Sequence, residues 1–179
     1  QQAMVYLGML SMLVIFGLMA VAFKSYWQPF LVLTAVPFGL MGAIFGHWIL
    51  GWQVSMFSIM GVIACAGVVV NDNLVLIDRI NNLRAEGLDL ESALLQGATD
   101  RFRPIILTSV TTFVGLIPIM LETSVQAQFL IPMVVSLSFG VMFATGVTLV
   151  LVPALYLLGD DIGKLFGALS RKGPKVVTS

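Results

Sequence analysis

Residues 54–78 read VSMFSIMGVIACAGVVVNDNLVLID, a stretch without a charged side chain until Asp72. In an α-helix such a stretch is about 37 Å long at ~1.5 Å per residue, which exceeds the ~30 Å hydrocarbon core of a bilayer. It therefore predicts a transmembrane helix. Asp72 lies inside this helix, where an acid costs about 2.5 to 3.5 kcal/mol on insertion scales and normally faces protein or water. An acid at this depth is the first candidate for a functional group.

The rest of the chain is also strongly hydrophobic and poor in charged residues. Of its 179 residues, 59% are hydrophobic and 10% are charged, and the mean hydropathy is +1.02. A water-soluble globular domain, in which about a quarter of the residues are charged, is excluded. We expect an all-α membrane protein with five transmembrane helices and a short cytoplasmic amphipathic helix over about 89–100. The spans are predicted at about 3–23, 30–50, 54–78, 104–121 and 132–158, followed by a cytoplasmic tail at 160–179 that is disordered at its end.

Charge placement predicts the orientation of the five spans. When the spans alternate through the bilayer, all nine basic residues fall on one side, which the positive-inside rule assigns to the cytoplasm. The N-terminus is then outside and the C-terminus inside. A net charge of zero gives no indication of a nucleic-acid partner, and the single cysteine excludes an intrachain disulfide. The basic residues are Lys24, Arg79, Arg84, Arg101, Arg103, Lys164, Arg171, Lys172 and Lys175.

Prolines refine the predicted helix boundaries. Pro29, Pro104 and Pro132 each fall at a predicted first helical turn, where the missing N–H group costs nothing. Pro37 and Pro118 fall inside predicted spans, so we expect kinks there, with the freed carbonyls bonded by neighbouring helices.

Small residues recur at helical spacing in three of the spans. In a bilayer they allow helix backbones to approach closely. Such faces need partner surfaces, so we expect a larger assembly, or self-association when this chain is alone. The chain also begins with Gln1 rather than Met, which suggests a piece of a longer protein. The predicted packing residues are Gly42, Gly46, Gly61, Ser136, Gly140 and Ala144.

Asp72 and Thr108 fall at similar predicted depths on neighbouring antiparallel spans, and a hydrogen bond between them is possible. Burial favours the neutral form of a carboxyl, which suits a carrier that loads and releases protons near neutral pH. The alternative is that Asp72 only holds helices together through hydrogen bonds.

Several motifs in order resemble the resistance-nodulation-division (RND) superfamily of proton-driven exporters. They are SYWQPF at 25–30, GVVVNDNLVLID at 67–78, RFRPIILTS at 101–109, LETSVQAQFLIPM at 121–133 and LVPALY at 151–156. The resemblance covers nearly the whole chain and matches the last five of the family's twelve membrane helices.

The resemblance implies a homotrimer in the bacterial inner membrane that works with a periplasmic adaptor and exports drugs, metals or other compounds in exchange for protons. The proton is the coupling ion, and no other cofactor is implied. The resemblance also implies a proton relay. In that relay Thr108 matches a threonine of the family, and Arg101 matches an arginine near the cytoplasmic end. Asn71 matches a position that is often lysine in the family. Asn71 and Asp72 also fall where the other half of the family's repeat carries an acidic pair.

We therefore expect the C-terminal transmembrane half of a proton-driven exporter, a secondary transporter rather than an enzyme. Its partners are the N-terminal half of the same transporter and the lipid bilayer, and it cannot export alone because the substrate-binding segments are missing. One alternative is a non-transporting helical membrane module that self-associates or docks to a partner. Another is a protein-export accessory of the same superfamily.

Overall fold

The computed structural model describes residues 1–23 and 27–171, and this part of the chain is helical without any strand. Lys24 and the final part of the predicted tail, 172–179, lie outside the described residues. Six helices follow one another: α1 (Gln2–Phe23), α2 (Trp27–Leu33), α3 (Ala35–Leu50), α4 (Met56–Ala85), α5 (Leu90–Met120) and α6 (Val125–Arg171).

Five helical segments are long and apolar enough to cross a membrane, with α2 and α3 together forming one of them. The prediction of an all-α protein with five transmembrane helices is confirmed. α6 lies at the centre, where it packs against α3, α4 and α5, whereas α1 packs mainly on α2. Only Met19 of α1 is buried, so this helix presents nearly all of its apolar surface outward.

The second span is interrupted at Thr34, between α2 and α3. Pro37 lies three residues later, and its ring removes one backbone donor and crowds the carbonyl of Leu33 in the preceding turn. The side-chain amide of Asn73 on α4 donates to the carbonyl of Val32 at this interruption, over 3.2 Å. A neighbouring helix therefore bonds a carbonyl at the break, although the carbonyl that Pro37 frees is that of Leu33.

Residues 90–100 are helical, as predicted for the segment at about 89–100, but they are not separate from the fourth span. α5 begins at Leu90, after Asp89, and continues without interruption through Pro104 into the fourth span. Ala93, Gly97, Ile105 and Ser109 are buried on one face of this helix, on both sides of the proline. This continuous packing offsets the cost of about 3 kcal/mol that an internal proline imposes.

The last helix extends beyond the predicted span at both ends. α6 begins at Val125 and has Pro132 in its interior, since the Ser124 side chain accepts a hydrogen bond from the Ala127 amide and caps the helix start. At its other end α6 continues to Arg171, so residues 160–171 of the predicted tail are helical.

A polar cluster joins α2, α4 and α6 at the end where the basic residues gather. The side-chain amides of Gln28 and Asn81 donate to each other over 2.9 and 2.8 Å, and the Tyr156 hydroxyl donates to the Asn81 oxygen over 2.7 Å. Beside them, Arg84 and Lys164 both form ion pairs with Asp160. The charged groups of two helices thus meet at this end of the bundle.

Candidate functional site

Asp72 lies near the middle of α4, about 24 Å from its first residue at ~1.5 Å per residue. The side chain is half-buried, at the edge of the face that carries the buried residues Gly61, Cys65 and Val69. Its Oδ2 atom is buried and has no hydrogen-bond partner among the described residues. The carboxyl oxygen is therefore available to a proton.

Two contacts fix the register between α4 and α6. A Cβ atom added at Gly140 would lie 2.7 Å from the Cys65 sulfur, and Tyr156 bonds Asn81. In both pairs the α6 residue has a number 75 higher than its α4 partner, so the two helices run parallel in constant register. This register places Asp72 at the level of Thr145 and Thr148 on α6.

Buried hydroxyl groups accumulate at this level. Ser109 of α5 and Thr145 of α6 are hydrogen-bonded over 2.6 Å, and both are buried. Thr148 is also buried, and its hydroxyl donates to the Thr145 carbonyl over 3.3 Å. None of these three residues was among the predicted relay residues, although Ser109 is adjacent to Thr108. On α5, Ser109 is buried whereas Thr108 and Thr111 are exposed, and sequence alone did not show which of these hydroxyls faces α6.

The other predicted relay residues lie at the surface of the bundle. Asn71 and Thr108 are exposed, and Arg101 is half-buried about two turns before Thr108 on α5. The single proton of the Thr108 hydroxyl is donated to the Pro104 carbonyl over 2.8 Å. Thr108 therefore does not donate to Asp72, and the structure does not bring the four predicted residues into one hydrogen-bonded network.

The predicted packing residues lie where α6 meets α3 and α4. A Cβ atom at Gly42 would lie 2.6 Å from the Phe143 Cβ, and one at Gly46 would lie 2.5 Å from the Phe139 ring. At Gly61 it would overlap the Met133 carbonyl oxygen and lie 2.8 Å from the Ser136 Cβ. Ser136 and Ala144 are fully buried in the same region. These close approaches hold α4, and with it Asp72, against α6.

A family model described as the AcrB/AcrD/AcrF family matches residues 1–160 of the chain. The chain belongs to this family of RND efflux permeases. The match includes Asp72, Arg101 and Thr108, together with the buried hydroxyls at the level of Asp72.

Among the curated relatives of this RND permease chain is the cobalt-zinc-cadmium resistance protein CzcA of Cupriavidus metallidurans. It is 34% identical over 148 residues, which are 83% of this chain and 14% of the relative. The swarming motility protein SwrC of Bacillus subtilis is 32% identical over 144 residues, 80% of this chain and 14% of that protein. The chain thus spans about one seventh of the length of these relatives.

The fold of the RND permease chain also matches a solved structure. The crystal structure of a heavy metal efflux pump has a TM-score of 0.75 and 34% sequence identity to it. The match covers 86% of this chain and 15% of the pump.

Proposed function

We propose that this chain is the C-terminal transmembrane half of a proton-driven RND exporter, and that Asp72 is a protonation site of the transport cycle. The observation that carries the proposal is the buried, unpartnered Oδ2 of Asp72 in the middle of a membrane-crossing helix. Membership of an efflux family supports a transport role for an acid at this depth.

The surroundings of Asp72 support a site that is completed by another part of the transporter. Asn71 is exposed on α4 and Thr108 is exposed on α5, although both lie within membrane-crossing helices. Polar groups at such depth face protein or water rather than lipid. We therefore propose that the N-terminal half covers this surface and brings the remaining groups of the relay, including a partner for Asp72.

We propose a topology for the whole protein from the same reasoning. The protein lies in the bacterial inner membrane, with the basic end of the bundle in the cytoplasm and the N-terminus in the periplasm. A homotrimer working with a periplasmic adaptor is the assembly that the family resemblance implies. The names of CzcA and of the heavy metal pump favour a metal cation as the cargo of the whole transporter.

The test is Asp72→Asn in the full-length transporter, because this change removes the titratable proton while keeping the shape of the side chain. We expect loss of resistance to zinc, cobalt and cadmium salts and loss of proton-coupled export in vesicles, with normal expression and assembly. Asp78→Asn is the matched control, since Asp78 is an exposed acid on the same helix. Full export by the Asp72 variant would contradict the proposal, as would an equal loss in both variants.

A further inference from the structure

Two polar groups near the middle of the bundle have hydrogen-bonding capacity that the described residues leave unused. One is the Oδ2 atom of Asp72, which is buried and accepts no hydrogen bond from them. The other is the pair of hydroxyls of Ser109 and Thr145, which are 1% and 3% exposed and lie 2.6 Å apart. Each hydroxyl carries one proton, and the bond between them uses only one of the two. This hydroxyl pair therefore has one proton left to donate.

Other hydroxyls of the membrane-crossing helices use their proton within their own helix. Those of Thr108, Thr112 and Ser138 donate to the carbonyl four residues earlier, over 2.8, 2.8 and 2.7 Å. A bond to the preceding turn satisfies a helical hydroxyl without any partner from another helix. Ser109 and Thr145 make no such bond, since their only side-chain hydrogen bond within the described part of the chain is the one between them. The remaining proton of the hydroxyl pair is therefore free for a group on a neighbouring helix.

Contacts between the helices place the hydroxyl pair within about one turn of Asp72 along the bundle. α4 and α5 run antiparallel, and a Cβ atom at Gly97 would lie 2.7 Å from the Ile80 side chain. Counted from this contact, Ser109 lies about one helical turn, or ~5.4 Å, from the level of Asp72 toward the start of α4. The parallel register of α4 and α6 places Thr145 two residues, or ~3 Å, away in the same direction.

The direction of the side chains brings the two groups closer together. Each Cα–Cβ bond tilts toward the start of its own helix, so the Asp72 side chain leans toward the hydroxyl pair. Since α5 runs in the opposite direction, Ser109 leans back toward Asp72. Asp72 also lies seven and eight residues before Arg79 and Ile80, which places it on the side of α4 that meets α5. α6 can offer only hydroxyls as polar partners here, because residues 132–153 include no titratable side chain and no amide side chain.

We propose that the hydroxyl pair of Ser109 and Thr145 positions the Asp72 carboxyl by a hydrogen bond to its Oδ2 atom. A turn of the Asp72 side chain toward the pair makes this bond. When Asp72 is ionised, the remaining hydroxyl proton is donated to Oδ2. When Asp72 is protonated, its own O–H group donates to a hydroxyl oxygen, and both hydroxyls keep their protons throughout.

This inference rests on the proposed function of Asp72 and adds two positioning residues to it. The second oxygen of the Asp72 carboxyl remains free for the group that the N-terminal half brings. A carboxyl held in one orientation presents that oxygen in the same place in each transport cycle, which favours proton transfer.

The test follows the C=O stretching band of protonated Asp72 by infrared spectroscopy of the full-length transporter. The band is identified as the one that Asp72→Asn removes. In the double variant Ser109→Ala with Thr145→Val, we expect the band to move to higher frequency, because a hydrogen-bonded carboxyl absorbs at lower frequency than a free one. Each single variant should move the band part of the way, and Thr145→Ser, which keeps the hydroxyl, should leave it in place.

Ser138→Ala is the matched control. Ser138 is as buried as Ser109, but its hydroxyl donates within α6, and the register of α6 places it more than two turns from Asp72. The control should leave the band unchanged. An unmoved band in the double variant would overturn the inference, and so would an equal shift in Ser138→Ala.

Proton-coupled export provides a second measurement on the same variants. Ser109→Ala and Thr145→Val should each lower it about two- to ten-fold, the effect of losing about one net hydrogen bond, whereas Ser138→Ala should not. A shifted band with full export in both single variants would overturn the positioning role. Because the band reports the hydrogen bond directly, it tests this contact whether or not Asp72→Asn abolishes export, and export by Asp72→Asn alone decides the proposed function.

Discussion

At the scale of single residues, the same residue type has different roles on one helix. Gly61 and Gly67 both lie on α4 and both look like packing residues in the sequence. A Cβ at Gly61 would overlap the backbone of α6, whereas a Cβ at Gly67 would meet nothing within 4 Å. The close approach of α6 makes a side chain costly at Gly61, whereas the open space at Gly67 makes one harmless.

We predict that Gly61→Ala destabilises the transporter by about 1 to 3 kcal/mol, because the added methyl group forces α4 and α6 apart. Gly67→Ala is the matched control and should be neutral or stabilising by up to about 1 kcal/mol, since alanine is the better helix former. Unfolding in mixed detergent micelles measures both changes. Equal stability of the two variants would contradict the packing at Gly61.

Thr108 is a second residue whose surroundings define an experiment. Its hydroxyl donates within α5 and faces outward, on the surface that we assign to the N-terminal half. We predict that Thr108→Ala partially lowers proton-coupled export, because the relay loses one polar group and Asp72 remains. Thr112→Ala, one turn further and also bonded within the helix, is the control. Unchanged export by Thr108→Ala would remove Thr108 from the relay.

At the scale of helices, hydrogen bonds made by side chains of α4 and α6 set how α2 and α6 pack against α4. Asn73 bonds the carbonyl of Val32 at the break between α2 and α3, and Asn81 bonds Gln28 and Tyr156. Asn73 and Asn81 follow Asp72 on α4 by one and nine residues. Together they fix the rotation of α4, and therefore which way Asp72 faces.

We predict that Tyr156→Phe destabilises the transporter by about 0.5 to 1.5 kcal/mol, the net contribution of one hydrogen bond. The loss remains moderate because the Asn81 oxygen still accepts from Gln28. Tyr6→Phe, on the 72% exposed Tyr6 of α1, should have no effect. Thermal unfolding of both variants in one detergent provides the comparison, and a Tyr156 variant as stable as the Tyr6 variant would show that the cluster does not contribute.

At the scale of the whole molecule, helices pack closely around α6, whereas other helix surfaces of the bundle are not covered by any described helix. α6 is surrounded by α3, α4 and α5, whereas α1 is separated from α4 by an apolar groove of about 930 Å³. Polar residues are exposed on α4 and α5 at membrane depth. Such uncovered surfaces agree with a chain that spans about one seventh of the length of its relatives, since other parts of those proteins could pack there.

We predict that the two ends of the bundle are accessible from opposite sides of the membrane. A cysteine at Glu86, which is exposed in the turn between α4 and α5, should react with an impermeant thiol reagent only from the cytoplasm. A cysteine at Thr123, between α5 and α6, should react only from the periplasm. The unsubstituted chain measures background labelling, because Cys65 is buried. The opposite pattern would reverse the proposed orientation.

Much of the architecture follows from the sequence because the bilayer imposes a length and a composition on each span. The number of spans, the gathering of basic residues and the membrane depth of Asp72 all follow from apolar length and charge position. The family resemblance likewise rests on motifs that are visible in the sequence, and the match over residues 1–160 agrees with it.

The tertiary structure decided where two helices begin and which polar side chains are buried, because both depend on contacts between helices. Pro104 and Pro132 look like helix starts, but packing along α5 and capping by Ser124 carry both helices past them. Thr108 and Ser109 are adjacent hydroxyls, and only the position of α6 made Ser109 the buried one, bonded to Thr145. Sequence fixes which groups enter the membrane, because insertion depends on each segment's own composition. Which of those groups meet one another is decided by the rotation and register of packed helices, and these depend on all of the helices together.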